Sequence, residues 1–205
     1  MSAFHPHNRR MAGAGAVVAL TGLLLSGCGT ETAPGAGKPS ASASRTAGAF
    51  NDADVAFAQA MIPHHQQALE MARLADGRAE DAGVKKIVAD VEKAQDPEIR
   101  TMKAWLTAWG KPEAPATHGG GHGGGGHSMA GMMSEQDMKD LAALRGRAFD
   151  RKFAELMIAH HEGAVDMAET ERKNGRDATA RKLADDVVRT QSAEIAELKE
   201  ILGRL

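Results

Sequence analysis

The chain has 205 residues, with 25 basic against 27 acidic side chains, nine histidines, eleven methionines and one cysteine. That length suits a domain with a buried core, and the slightly acidic balance supplies no basic stripe for nucleic acid. A single cysteine excludes an internal disulfide and a thiolate metal cluster.

Arg9 and Arg10 precede a weakly apolar run from Met11 to Leu25, too short to span a bilayer comfortably, which reads as a signal peptide. It ends in Leu25-Ser26-Gly27-Cys28, which resembles the lipobox of bacterial lipoproteins, where cleavage leaves the cysteine as the lipidated first residue. Residues 1–27 are therefore expected to be removed, and Cys28 to anchor the mature protein to the outer face of the bacterial cell membrane. Without Arg9 and Arg10 the mature chain carries 23 basic against 27 acidic residues, a net −4. Residues 29–49 are mostly Ala, Ser, Gly, Thr and Pro, so 28–50 reads as a lipidated cysteine and flexible tether. The random-coil rule gives such a tether a reach of about 25 Å.

The first helix is expected from Asn51 or Asp52, either of which can cap it, to about Gly77. Pro63 falls inside this span, removes one amide and frees the carbonyl of Gln59, so a local kink is expected there. A second helix, from about Asp81 to Trp109, carries Val84, Ile87, Val88, Val91, Ile99, Met102, Trp105, Leu106 and Trp109 at helical spacing, with a bend expected at Asp96-Pro97. Residues 51–109 thus make a first helical hairpin. Residues 110–133 form a Gly-rich linker without periodicity, and contain His118, His122, His127, Met129, Met132 and Met133. Such a linker can be inert, but His and Met donors separated by small residues can also wrap a metal ion. Ser134 and Asp137 have capping-box spacing and open a short helix that should end near Gly146. A third long helix is expected from about Ala148 to Asn174, stopped by Asn174-Gly175, and a fourth from Asp177 to the C-terminus through Leu183, Val187, Ile195, Leu198 and Leu202. These occupy residues 134–205, and nothing in the chain alternates as a strand would.

The two hairpins are copies of one another. Asp54, Phe57, Met61, His64, His65, Ala68, Met71 and Ala72 recur 96 positions later as Asp150, Phe153, Met157, His160, His161, Ala164, Met167 and Ala168, without a gap. The same offset turns Val91, Gln95, Glu98, Ile99 and Leu106 into Val187, Gln191, Glu194, Ile195 and Leu202. On a helix these spacings form one seam, with His65 at its edge. Two hairpins that cannot bury their apolar stripes alone should close into an all-α, antiparallel four-helix bundle, residues 51–205 forming one domain.

Half of the seam is ordinary core, but a buried Asp or His needs a hydrogen bond, a charge partner or a metal. Facing helices of bundles commonly supply metal ligands, and the candidates are Met61, His64, His65, Met71, Met157, His160, His161 and Met167. Imidazole suits zinc, copper, iron and nickel, whereas thioether is chosen mainly by soft ions, so this set points to copper, Cu(I) ahead of Cu(II), with silver as a mimic. Neighbouring residues point about 100° apart on a helix, so one histidine of each pair is the expected ligand. Asp54 and Asp150 either orient an imidazole from outside the ligand set or cap helices, and Gln95 and Gln191 are weaker candidates for the orienting role. The linker histidines and methionines would form an auxiliary, weaker group.

Met-Ile-x-His-His followed by Ala and Met, doubled in a helical exported protein with a Gly-Met-Met segment before the second copy, resembles domain-of-unknown-function family 305. The resemblance covers residues 51–205 and implies a ferritin-like fold and copper binding connected with metal tolerance. It also singles out Asp54, Met61, His64, His65 and Met71 with Asp150, Met157, His160, His161 and Met167. The expected function is that of a lipid-anchored copper-binding protein that buffers, sequesters or transfers the metal, with a copper-handling protein as its natural partner. It is not expected to be an enzyme: diiron oxidation wants Glu-x-x-His, and no Glu stands three residues before any of the four helical histidines. The competing class is a metal-free helical interaction module in which His and Asp satisfy one another.

Overall fold

The computed structural model describes residues 49–114 and 130–205, and all regular structure among them is helical. Helices α1 (Asp52–Leu74) and α2 (Ala82–Trp109) form one hairpin, α3 (Glu135–Ala143) is short, and α4 (Gly146–Asn174) with α5 (Ala178–Arg204) forms the second hairpin. The starts follow from local chemistry. The Asn51 side chain accepts from the Ala53 and Asp54 amides while Asp54 bonds back to the Asn51 amide, and Ser134 with Asp137 builds the same reciprocal box. Asp81 and Asp177 cap α2 and α5. Both α1 and α2 continue unbroken through Pro63 and Pro97.

One boundary differs from the sequence expectation. Gly146 does not end α3, which stops at Ala143, but is the first residue of α4. Its φ of 61° lets the extended Leu144-Arg145 step turn directly into the helix, and its amide donates to the Arg78 carbonyl at 2.8 Å. The junction is thereby bonded to the loop of the other hairpin.

α1 packs on α4 and α2 on α5, and α3 rests against α1 and α4. Both inter-hairpin pairs run antiparallel. Asn51 before α1 donates from Nδ2 to the Asn174 carbonyl at the end of α4 (2.8 Å), and Arg204 at the end of α5 donates to Asp81 before α2 (2.7 Å). The result is an antiparallel four-helix bundle of two repeated hairpins. Its core comes from the seams: Phe57, Met61, Ala68 and Met71 of α1 meet Phe149, Phe153 and Met157 of α4, with Ile87, Leu106 and Leu198 among those closing it from α2 and α5. Each large apolar side chain so buried contributes about 1.5–3 kcal/mol.

The seam aspartates join the hairpins. Asp54 Oδ1 accepts from the Arg176 and Asp177 amides at 2.9 Å each, so the start of α5 is held by a carboxylate from α1. Asp150 does the reciprocal service at the start of α2, accepting from the Glu80 and Asp81 amides at 3.1 and 2.8 Å. Among the described residues neither carboxylate bonds an imidazole; Asp54 completes the capping box of its own helix, whereas Asp150 caps nothing in α4 and serves the start of α2. Hydrogen bonds to a charged acceptor are worth about 1.5–3 kcal/mol each. Replacing Asp150 by Ala should therefore destabilise the fold by about 3 kcal/mol, read as a lowered urea midpoint; a loss below about 0.5 kcal/mol would show that water substitutes for the carboxylate.

Glu171, near the end of α4, is 1% exposed and stands where the first repeat has Ala75. Burial, followed by the neighbouring Asp54 carboxylate, pushes its carboxyl up to about 8. Gly175 gives it room, since a Cβ there would run into the Glu171 side chain, and its φ of −67° shows that the glycine is needed for space and not for a left-handed turn. A carboxyl that holds its proton more tightly when folded favours unfolding as pH rises from the ordinary carboxylate range through about 8. Stability should thus decline from about pH 5 to about pH 8, with a slope approaching the one-proton limit of about 1.4 kcal/mol per pH unit up to neutral pH and levelling off above about 8. Glu171→Gln should flatten that decline in denaturant melts, and an unchanged slope would place the titrating group elsewhere.

Candidate metal centre

The doubled histidines occupy the middle of the α1–α4 interface. His64, His65, His160 and His161 are all fully buried, and the His64 and His160 rings lie face against face with centroids 3.7 Å apart and planes tilted by 37°. Antiparallel packing of two copies puts equivalent residues opposite each other only near the crossing point, and the histidine turn is that point. His161 sits beside this pair, its ring 6.4 Å from that of His160.

The two members of each doublet do different things. His65 Nε2 pairs with Glu98 of α2 at 2.8 Å, and His161 Nε2 pairs with Glu194 of α5 at 2.7 Å. His64 and His160 have no such partner: among the described residues neither nitrogen of either ring is hydrogen-bonded, and Nδ1 of His65 and of His161 is likewise free. Burial, then the adjacent imidazoles of His65 and His161, lowers His64 to about 3. His160 is pushed still further below its ordinary value, by burial and then by His64, His161 and His65. Both central rings are thus neutral at physiological pH, the form in which imidazole binds a metal. Six buried ring nitrogens without a partner are costly to maintain; in neutral rings one nitrogen of each is a lone pair, which is what a bound metal would satisfy.

The methionines divide by position along the helix. Met61 and Met157 stand three residues before His64 and His160, one turn away on the same face, and are fully buried. Met71 and Met167 stand seven residues after the histidines, about 10 Å further along their helices. Because α1 and α4 are antiparallel, those two lie towards opposite ends of the bundle. Met71 is core, and Met167 lines a surface recess with Phe57, Ala60 and Glu171. The eight candidate ligands are therefore spread along the two helices, with Met61 and Met157 one turn from the histidines and Met71 and Met167 two turns away. Among the described residues no three His, Cys, Asp or Glu side chains are grouped as a metal site, so thioethers would have to complete one. The buried Gln95 and Gln191 lie three residues before Glu98 and Glu194, with amide oxygens unpaired and no bond to an imidazole.

Of the linker, His118, His122, His127 and Met129 lie outside the described residues, as does Cys28. The linker's end is placed at the centre. Ala130 and Gly131 cross α4 so closely that a Cβ on Gly163 would collide with the Ala130 carbonyl, and one on Gly131 would meet the Ala159 and His160 carbonyls at 2.7 and 2.9 Å. Gln67 of α1 then grips Met133 at both ends of its peptide, donating to its carbonyl at 2.9 Å and accepting from its amide at 2.7 Å. Met132 and Met133 are therefore held beside the histidine turn. Reading the sequence missed Glu98, Glu194, Gln67 and Gly163 as parts of this centre. The glutamates were visible as a repeated pair, and the other two as a mismatch, Gln67 in one copy standing where Gly163 stands in the other. Gly163→Ala should cost about 1–3 kcal/mol by overpacking and shift the backbone amide resonances of 130–133; neither effect appearing would mean the crossing segment gives way freely.

The comparisons agree with this architecture. DUF305, a domain of unknown function, matches residues 54–202. A DUF305 protein of Streptomyces coelicolor is 29% identical with a TM-score of 0.67, over 74% of this chain and 93% of that one. A DUF305 fragment from Deinococcus radiodurans is 33% identical with a TM-score of 0.65, over 76% and 98%. CopM in its Cu(II)-bound form is 37% identical with a TM-score of 0.62, over 74% and 96%, and CopM has also been solved with Cu(I) and with silver. No curated protein matches the chain.

Proposed function

We propose, from the premise that this chain belongs to the DUF305 family, that it binds copper at the His64–His160 centre and works outside the cytoplasm as a lipid-anchored buffer, store or donor of the metal. The observation that carries the reading is the pair of closely apposed, fully buried, neutral imidazoles whose four nitrogens have no hydrogen-bond partner among the described residues, with Met61 and Met157 one turn away. Neutral imidazole with thioether is the donor set of a soft ion, and Cu(I) is favoured over Cu(II) on that ground. CopM, which shares the fold, holds Cu(I), Cu(II) and silver. Export is supported by the Arg9-Arg10 signal region and by the description of the Streptomyces coelicolor relative as a secreted protein, and the anchor by Cys28 at the end of its lipobox-like tetrapeptide. A transfer role implies a copper-handling protein as partner. We read the protein as a binder and not an enzyme, since diiron oxidation wants Glu-x-x-His and no Glu stands three residues before any of the four helical histidines.

Anaerobic competition against a chromophoric Cu(I) chelator tests this. Wild type should take up Cu(I) at a tight site, and His64→Ala with His160→Ala should weaken that site at least a hundredfold while replacement of 115–129 by a neutral linker removes only weaker capacity. At a hundred times the dissociation constant Cu(I) should add about 2.7 kcal/mol of stability. A larger stabilisation by Zn(II), or Cu(I) uptake unaffected by the histidine changes, would defeat the assignment.

A further inference from the structure

The bond between His65 and Glu98 is made again, to within 0.1 Å, between His161 and Glu194. Each spans 33 residues and ties the first helix of a hairpin to its own second helix. We propose that Glu98 and Glu194 are positioning residues that hold His65 and His161 as Nε2–H tautomers, leaving Nδ1 as the one ring atom either histidine can offer an ion in the bundle interior.

Three observations carry this. A carboxylate only accepts, so the ring nitrogen facing it at 2.7–2.8 Å must be the one that donates. The other nitrogen is buried and meets no acceptor among the described residues, so a proton on Nδ1 would be an orphaned buried donor, whereas a bare lone pair there is what a metal completes. The glutamates also retain some solvent contact, at 19% and 16% side-chain exposure, while the rings they grip have none. Each carboxylate therefore reaches in from the rim and orients a ring it does not share with the centre. His64 and His160 have no carboxylate partner, and their rings lie against one another. The four imidazoles thus fall into a central pair without a carboxylate partner and a flanking pair oriented from outside, where the carboxylate raises the basicity of the atom presented.

The second half of the proposal, that Nδ1 faces a metal, rests on the copper reading; the tautomer does not. Long-range ¹H–¹⁵N correlation spectra of the metal-free protein, assigned with His65→Gln and His161→Gln, should show both rings protonated at Nε2 and bare at Nδ1. Anaerobic Cu(I) should then move the Nδ1 resonances while Nε2–H persists. Glu98→Ala with Glu194→Ala should mix the tautomers and weaken Cu(I) binding about 10–100-fold, and Glu98→Gln with Glu194→Gln, whose amide oxygens still accept, should keep the tautomer and lose less. Rings found protonated at Nδ1, Cu(I) taking Nε2 in place of glutamate, or alanine variants that bind Cu(I) like wild type would overturn the proposal. If the alanine variants do not fold, the wild-type spectra still decide. A wild type that binds no Cu(I) yet shows Nε2–H in both rings would sink the copper reading and leave the positioning role standing.

Discussion

Each hairpin of this bundle completes its loop on a carboxylate borrowed from the other. Asp54 holds the Arg176 and Asp177 amides, Asp150 those of Glu80 and Asp81, and these contacts set the axial register of α1 against α4. Apolar seams alone would tolerate a slip, because Phe, Met and Ala recur along them at helical spacing. A slip of one turn, about 5.4 Å, would strand four backbone amides and separate His64 from His160. The carboxylates therefore act on the centre by deciding which turns meet, without touching an imidazole.

The duplication explains the symmetric half of the molecule, and the departures from it explain the rest. Where the copies agree, they give the reciprocal aspartate bonds, the His65–Glu98 and His161–Glu194 pairs, and the ring stack at the crossing. Where they disagree, one face has been rebuilt. Gly163 replaces the counterpart of Gln67 and lets the Ala130–Gly131 backbone lie directly on α4, while Gln67 fixes the peptide of Met133 on the α1 side. The centre is consequently covered on one side by a crossing segment that carries Met132 and Met133, a feature no twofold-symmetric dimer of hairpins could have. Glu171 in place of Ala75 is the second departure and places a buried carboxyl of raised proton affinity at one inter-hairpin end.

The helices were legible in the sequence because their determinants are local: apolar spacing, Asn51, Asp81, Ser134 and Asp177 as caps, and a gapless repeat that confirms each element by its twin. Gly146 misled because a costly interior glycine reads the same whether it ends one helix or begins the next. The histidines were legible for a similar reason, as polar exceptions on an apolar stripe, repeated. Which methionines accompany them was not, since that depends on the antiparallel pairing of α1 with α4. Met71 and Met167 look as eligible as Met61 and Met157 until the crossing point is known. Glu98 and Glu194 lie 33 residues from the rings they bind, a separation fixed by hairpin length that no local pattern announces. The aspartates were noticed correctly as exceptions, but their partners are backbone amides, which carry no signature in sequence.

Burying four imidazoles is a poor way to stabilise a bundle, and the manner of their burial gives the expense its sense. Desolvation, followed by mutual repulsion, keeps His64 and His160 uncharged, so the interior avoids the larger cost of unpaired cations. Neutrality also means that no proton need leave before these two rings can bind an ion. What remains is a set of ring nitrogens without a hydrogen-bond partner among the described residues, with the buried Met61 and Met157 one turn away. An apolar core of the same volume would fold more stably and bind nothing. Under the proposed copper reading, the stability given up at the crossing of α1 and α4 would be recovered on binding a soft ion, and the folding of the bundle would be coupled to its cargo.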